Sequence, residues 1–136
     1  MPNQILIKKI RSPAPGSLND DIDYLIKSLG YFSKRDKQDT AGKIFRLIVK
    51  EACEPDNCLS SDEIAEKLNL TRGAIVHHLN SFISSGIVIK EHNAYRLRSV
   101  SLQKSVEEIR TDIDRIMEQM IKIAMEIDKK LGHYYR

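Results

Sequence analysis

The sequence has no apolar run that approaches the ~20 residues a helix needs to cross a membrane. Its amino-terminal stretch, MPNQILIKKIRSPAPGS, also lacks the long apolar core of a secretory signal. We therefore expect a cytosolic protein with no membrane partner. There is no glycine-rich phosphate loop, and no serine, histidine and aspartate are placed as nucleophile, base and orienting group. We accordingly expect a protein that is not an enzyme.

Cysteine is scarce: the only two, Cys53 and Cys58, lie close together in CEPDNC. In a cytosolic protein such residues are free thiols more often than a disulfide. The spacing is wider than a CxxC redox motif, and no second ligand pair is evident. We predict no metal site and no cofactor, and we keep a redox switch at this pair as a minor alternative.

The net charge is small, +3 over 136 residues, which permits a nucleic-acid partner without requiring one. The basic residues are unevenly spread. Residues 71–98 contain Glu91 as their only acid, against Arg72, Lys90, Arg96 and Arg98. A second basic stretch without acids lies near the amino terminus, at residues 8–11.

Four helices are predicted before residue 87, from apolar residues at helical spacing. They cover residues 17–30, about Thr40 to Cys53, a segment beginning at Ser60, and a fourth from Thr71 to about Ser85. Ser60 and Glu63 form a capping box, Asn69 suits the sharp turn between helices three and four, and Thr71 and Gly86 bound the fourth helix.

Short strand patterns, IVIK and AYRLR, follow Gly86 and are separated by EHN, which predicts a β-hairpin. The last helix is predicted from Ser101 to Leu131 and carries a heptad seam. We predict that this seam joins two copies of the chain through Val106, Ile109, Ile113, Ile116, Met120, Ile123 and Ile127. A clamp over the chain's own domain is the alternative, and the seam leaves open whether the paired helices run antiparallel or side by side.

The predicted fold is mainly α with a small β-hairpin: a winged helix-turn-helix domain followed by a long carboxy-terminal dimerisation helix. We divide the chain into an extended basic segment at residues 1–16, the winged domain at residues 17–98 and the long helix with a short tail at residues 99–136. The first helix, residues 17–30, is expected to join the dimer interface.

Residues 59–98 resemble the DNA-binding core of the ArsR-like winged-helix regulators. The resemblance rests on the order of LNLTRGAIVHHL, SSGIV and AYRLR, with KIFRLIV upstream, and covers about residues 40–98. It implies a dimeric transcriptional regulator, a repressor rather than an activator. Many members sense metals through cysteines on the third helix or Asp/His sets on the last. The third helix here has no cysteine and residues 101–131 have no histidine, so no metal or small-molecule effector is assigned.

The fourth helix presents two faces, one apolar and one suited to a DNA major groove. Arg72 can donate two hydrogen bonds to guanine, Gly73 lets the backbone approach a phosphate, and Val76 suits a thymine methyl group. The two adjacent histidines, His77 and His78, diverge by ~100° and disfavour a zinc pair within the helix. The predicted DNA contacts are Ser61, Thr71, Arg72, Gly73, Val76, His77, Asn80, Lys90, His92, Asn93 and Arg96.

The main competing function is a protein-interaction adaptor that has the same fold and does not bind DNA. Such an adaptor has no need for Arg72, Gly73, His77 and Asn80 on one side of a helix, or for a basic hairpin beside it. Double-stranded DNA and a second copy of the chain are therefore the partners that the sequence predicts.

Overall fold

The protein is mainly helical, with a small three-stranded antiparallel sheet and a long carboxy-terminal helix. The computed structural model describes residues 5–13, 15–29, 39–52 and 57–133. In chain order the elements are α1 (Leu18–Ser28), α2 (Thr40–Glu51), β1 (Leu59–Ser60), α3 (Ser61–Leu68), α4 (Arg72–Ser85), β2 (Val88–Glu91), β3 (Ala94–Leu97) and α5 (Leu102–Lys130). The predicted architecture, mainly α with a small β-hairpin and a long carboxy-terminal helix, is confirmed.

The predicted boundaries agree with these elements to within a few residues where they are described. The expected helix ends at Gly30 and Cys53 lie outside the described residues, as do residues 1–4 and the tail from residue 134. Residues 5–13 form no regular element, yet the Lys8 N–H donates to the Ser28 carbonyl at 2.8 Å and Ile5 packs against the core. This part of the basic segment therefore docks on the body.

The helix-turn-helix is built by local signals that the sequence carries. The Ser60 hydroxyl accepts from the Glu63 N–H, and the Glu63 carboxylate accepts from the Ser60 N–H, which completes the capping box. Asn69 ends α3 in the left-handed conformation (φ 52°, ψ 48°). Thr71 then caps α4 by accepting from the Ala74 N–H at 3.4 Å. With these caps, the turn between the two helices of the motif is three residues long.

The core of the winged domain lies where α2, α3 and α4 meet the sheet. The apolar stripe of α2 is buried, and the Phe45 ring meets Phe82 of α4 edge to face at 5.4 Å. Burying large aliphatic side chains supplies about 1.5–3 kcal/mol each. The fully buried large residues are Ile44, Phe45, Ile48, Ile64, Ile75, Leu79, Phe82, Ile87, Val88 and Leu97.

The sheet has the order β1-β3-β2, and its first strand was not predicted. Two residues, Leu59 and Ser60, pair with Tyr95 and Ala94 of β3, a run too short to show periodicity. β2 and β3 form the predicted hairpin, which turns at His92 and Asn93 with φ of 51° and 66°. Positive φ at both positions is the type I′ geometry that matches the twist of the strands.

Candidate nucleic-acid interface

The amino-terminal end of α4 is exposed and offers donors to an anion. Thr71, Arg72 and Gly73 are all exposed, and the helix carries no acidic residue in its first turn. Free N–H groups and the helix dipole make such an end favourable for a phosphate oxygen. The end is therefore electrostatically suited to a nucleic-acid backbone.

One side of α4 faces solvent and the other fills the core. Ile75, Leu79 and Phe82 are fully buried, whereas His77 and Asn80 are exposed and Val76 is half-buried. We call the outward set, Arg72, Gly73, Val76, His77 and Asn80, the recognition face. Its members come from one continuous stretch of helix, which has no acidic residue over residues 72–85.

Gly73 has no visible role within the described chain. A Cβ built on Gly73 would meet nothing within 4 Å, and its φ is not in the left-handed region. A glycine in a helix costs up to ~1 kcal/mol relative to alanine, less near an end. Among the described residues, neither backbone conformation nor internal packing explains this glycine.

Arg72 remains available to a partner. Its Nε lies 3.8 Å from an Asp62 carboxylate oxygen of α3, and both side chains are more than two-thirds exposed. An ion pair this exposed stabilises a protein by ~0–1 kcal/mol. A guanine edge or a phosphate can therefore replace Asp62 at little cost.

The hairpin presents fewer free cations than its sequence predicts. Lys90, His92 and Asn93 are exposed at or near the tip, and the Lys90 ammonium lies 5.6 Å from the centre of the Tyr95 ring. These three residues stay accessible as predicted. Lys90 carries the charge that a phosphate would meet.

Two predicted DNA contacts are corrected by the structure. Arg96 is only 13% exposed: it donates to a Glu91 carboxylate oxygen at 2.9 Å and to the Leu97 carbonyl at 2.9 Å. Ser61 is buried at the first position of α3. Arg96 is held within the hairpin by these bonds, and little of Ser61 is accessible to a partner.

His78 is half-buried and its ring meets that of exposed His77 at 5.4 Å, edge to face. The two rings therefore contact each other although their side chains leave the helix at neighbouring positions. Among the described residues, no group of three or more His, Cys, Asp and Glu side chains is placed to hold a metal ion. Cys58 is half-buried, and its neighbour Cys53 lies outside the described residues.

The long helix has two different halves. Ile109 is 2% exposed in the domain core, and Leu102, Val106 and Ile113 pack against that core. From residue 114 onward every described residue is exposed. The amino-terminal part of α5 therefore clamps its own domain, and the prediction that Ile109 contacts a second copy is wrong. Contacts of half-buried Val106 and Ile113 with a second copy stay a prediction.

The rest of the seam is a row of exposed apolar side chains, here called the open stripe. Its members are roughly half to two-thirds exposed, which is unusual for large aliphatic residues at one continuous surface. They include the remaining predicted dimer residues. The open stripe consists of Ile116, Met117, Met120, Ile121, Ile123, Ile127 and Leu131.

The first helix packs most of its apolar side chains inside its own domain. Ile22, Ile26 and Leu29 are buried in the chain's own core, and Leu18 is the large apolar residue of α1 that stays exposed. The expectation that this helix joins a dimer interface stays a prediction, for which Leu18 offers exposed apolar surface.

An ion-pair cluster around one buried aspartate joins the end of the hairpin to α5, and sequence reasoning missed it. Arg98, just after β3, donates to Asp112 at 2.5 Å and lies 3.4 Å from Glu108. Asp112 is only 3% exposed. The hydrogen bond from Arg98 lowers the pKa of the Asp112 carboxyl below its ordinary value, against the opposing effect of burial. The available signal was an aspartate on the apolar side of an otherwise regular seam.

The order α2, β1, α3, α4, β2, β3 is that of a winged helix-turn-helix domain, with α4 as the second helix of the helix-turn-helix. Comparison of the chain with protein-family models, with curated proteins and with solved structures finds no match in any of the three. Among the described helices, none combines the length and the apolar character required to span a membrane.

Proposed function

We propose that the protein is a sequence-specific, dimeric DNA-binding regulator of transcription that works in the cytosol as a repressor. α4 enters the major groove, and the hairpin lies on the backbone or in the adjacent minor groove. The observation that carries this proposal is the recognition face: an exposed, acid-free helix side that combines Arg72, Gly73, His77 and Asn80. Repression and kinship with the ArsR-like regulators rest on sequence resemblance.

Each member of the recognition face has a chemical task in this proposal. Arg72 donates two parallel hydrogen bonds to guanine O6 and N7, and Asn80 hydrogen-bonds a base edge or phosphate. Val76 contacts a thymine methyl group. The free N–H groups at the start of α4 hold a phosphate, and Gly73 allows its close approach. Phosphate contacts set the position of the helix, and base contacts set its sequence preference.

Dimerisation supplies the affinity that one helix lacks. A single recognition helix covers few base pairs and binds weakly at physiological salt. A two-fold dimer reads two half-sites about 34 Å apart, or a multiple of that. The open stripe supports this part of the proposal, since exposed apolar side chains on a projecting helix are stabilised by a second copy.

The test is DNA binding at several salt concentrations. Duplexes selected from a random pool are measured by fluorescence anisotropy against unselected duplex. We expect tighter binding to the selected sequences and a fall in log affinity with log salt of ~0.9 per phosphate contact. No retention of any duplex at low salt would refute the proposal.

One observation favours the adaptor as a second candidate function. Two of the basic residues around the hairpin, Arg96 and Arg98, are held by Glu91, Glu108 and Asp112, which leaves a less basic hairpin than the sequence suggests. An adaptor does not require free cations there. A dimer that retains no duplex would support this function instead.

A further inference from the structure

The covered half and the open half of α5 share one face of the helix. An α-helix repeats its direction after 18 residues, which is five turns. Ile109, buried in the domain core, lies 18 residues before Ile127 of the open stripe, and half-buried Ile113 lies 18 residues before Leu131. The winged domain therefore sits on the same side of α5 on which the open stripe continues.

This shared face restricts how a second copy can cover the stripe. In a parallel pair, the partner helix would bring its own winged domain to the same height and to the same inner side. That space is already filled by the first domain, which packs on Leu102, Val106, Ile109 and Ile113. In an antiparallel pair, each stripe meets the partner's stripe, and each domain lies beyond the end of the facing helix.

We propose that two copies pair antiparallel through their open stripes, so that the carboxy-terminal end of each α5 abuts the winged domain of the other. This inference rests on the dimeric part of the proposed function and fixes its geometry. Ile116 lies against Ile127 of the partner subunit, and Met120 lies against Ile123 of the partner subunit. Four wholly apolar layers result, and bulky Met117 falls near small Ala124 across the pair.

The length of α5 agrees with this register. Lys130, the last helical residue, comes level with Ile113 of the partner subunit, which is where the partner's domain begins to cover its helix. A longer helix would run into that domain, and a shorter one would leave part of the stripe open. The two Ile109 anchors then lie about 38 Å apart along the helix axis, which is of the order of one turn of duplex DNA.

Thiol cross-linking tests the orientation without DNA. The background replaces both natural cysteines, Cys53→Ser and Cys58→Ser, and circular dichroism checks that it folds; a background with alanine at both positions serves if serine does not. Into it we introduce I116C or I127C. A mixture of the two variants should cross-link with a short bis-maleimide, whereas each variant alone should not, because its two thiols are about 16 Å apart along the axis.

The outcomes separate this inference from the proposed function. Efficient cross-linking of either variant alone would overturn the antiparallel register and leave DNA binding intact. A single-copy particle in sedimentation would overturn both the pairing and the dimeric regulator. Cross-linking of the mixture together with no DNA binding would uphold the pairing and remove the proposed function. E118C, on the side of α5 away from the stripe, is the control and should stay uncross-linked.

Discussion

At the scale of single residues, a substitution at Gly73 tests DNA binding separately from folding. The space around it is empty and its backbone is ordinary, so alanine fits without a clash and favours the helix. We expect Gly73→Ala to leave the free energy of unfolding unchanged or up to ~1 kcal/mol higher. We expect the same substitution to weaken DNA binding, because the added methyl group keeps the backbone from a phosphate.

Denaturant unfolding and anisotropy on the same preparations check this prediction. Thr111→Ala, an exposed substitution on α5, is the matched control and should change neither DNA affinity nor salt dependence. Unaltered DNA affinity in Gly73→Ala would show that the glycine does not approach a duplex.

Arg72 tests base reading at the same face. Arg72→Ala should cost ~1–3 kcal/mol of binding free energy and relax the preference at one base pair. Arg72→Lys keeps the charge and loses the two parallel donors, so it should retain non-specific binding and lose discrimination. Selection from a random pool measures both effects. Arg110→Ala removes an equal charge from exposed α5 and should leave the preferred sequence unchanged; a shift there would mean that net charge alone sets it.

At the scale of elements, the two basic residues of the hairpin differ in their surroundings: Lys90 is exposed to a partner, whereas Arg96 is bonded within the hairpin. Lys90 is exposed, so Lys90→Ala should lower affinity equally for all sequences and reduce the salt slope by ~1. Arg96 is held by Glu91 and by two backbone carbonyls, so Arg96→Ala should instead lower the free energy of unfolding. Thermal unfolding beside salt-dependent anisotropy distinguishes these effects. A flatter salt slope in Arg96→Ala with full stability would contradict this distinction.

The Arg98–Asp112 contact links the residue that follows β3 to α5. Ser99 adds to it, since its N–H donates to the Ser105 hydroxyl at 3.0 Å, and Ser105 is fully buried. Removing one partner of a buried ion pair leaves the other uncompensated. We expect Asp112→Asn to lower the free energy of unfolding by about 1–3 kcal/mol at neutral pH, at fixed protein concentration.

The same contact predicts a pH dependence. Because Arg98 lowers the pKa of Asp112 in the folded state, the carboxylate contributes stability above its unfolded pKa of about 4. That contribution is lost as pH falls through the lower folded value. The difference between wild type and Asp112→Asn should therefore shrink below about pH 4 in denaturant titrations. Asp114→Asn, on an exposed neighbour, should show no such convergence.

At the scale of the whole molecule, one face of α5 packs on its own domain near the start of the helix and is exposed further on. Ile123→Lys places a charge in the open stripe and should dissociate the proposed dimer in sedimentation while the winged domain keeps its unfolding transition. Met125→Lys makes the same change on an exposed residue off the stripe and should leave the dimer intact. Ile109→Ala should instead cost about 2–5 kcal/mol of folding free energy, since Ile109 lies in the core. A monomeric Met125→Lys protein would show that the residues assigned to the open stripe do not define the dimer interface.

Local signals predicted the helices, the turn and the hairpin from the sequence alone. These signals act over three or four residues, so they can be recognised in the sequence without knowledge of the fold. They are the capping box at Ser60, the left-handed Asn69 and the Thr71 cap. The buried and exposed sides of α4 follow from the helical repeat. The recognition face was therefore predictable in outline, whereas β1 was not, because a two-residue strand exists only through its pairing with Tyr95 and Ala94.

Only the tertiary structure determines which side chains are exposed and able to contact a partner, and which are buried or ion-paired. The same heptad seam runs through Ile109 and Ile127, and nothing in its periodicity says that a domain covers one and not the other. Likewise Arg96 and Lys90 carry equal charge in the sequence, but the strand geometry brings Glu91 to Arg96 and leaves Lys90 outward. Periodicity and capping are short-range properties of the chain; burial and ion pairing depend on which distant segments meet, and the fold alone determines that.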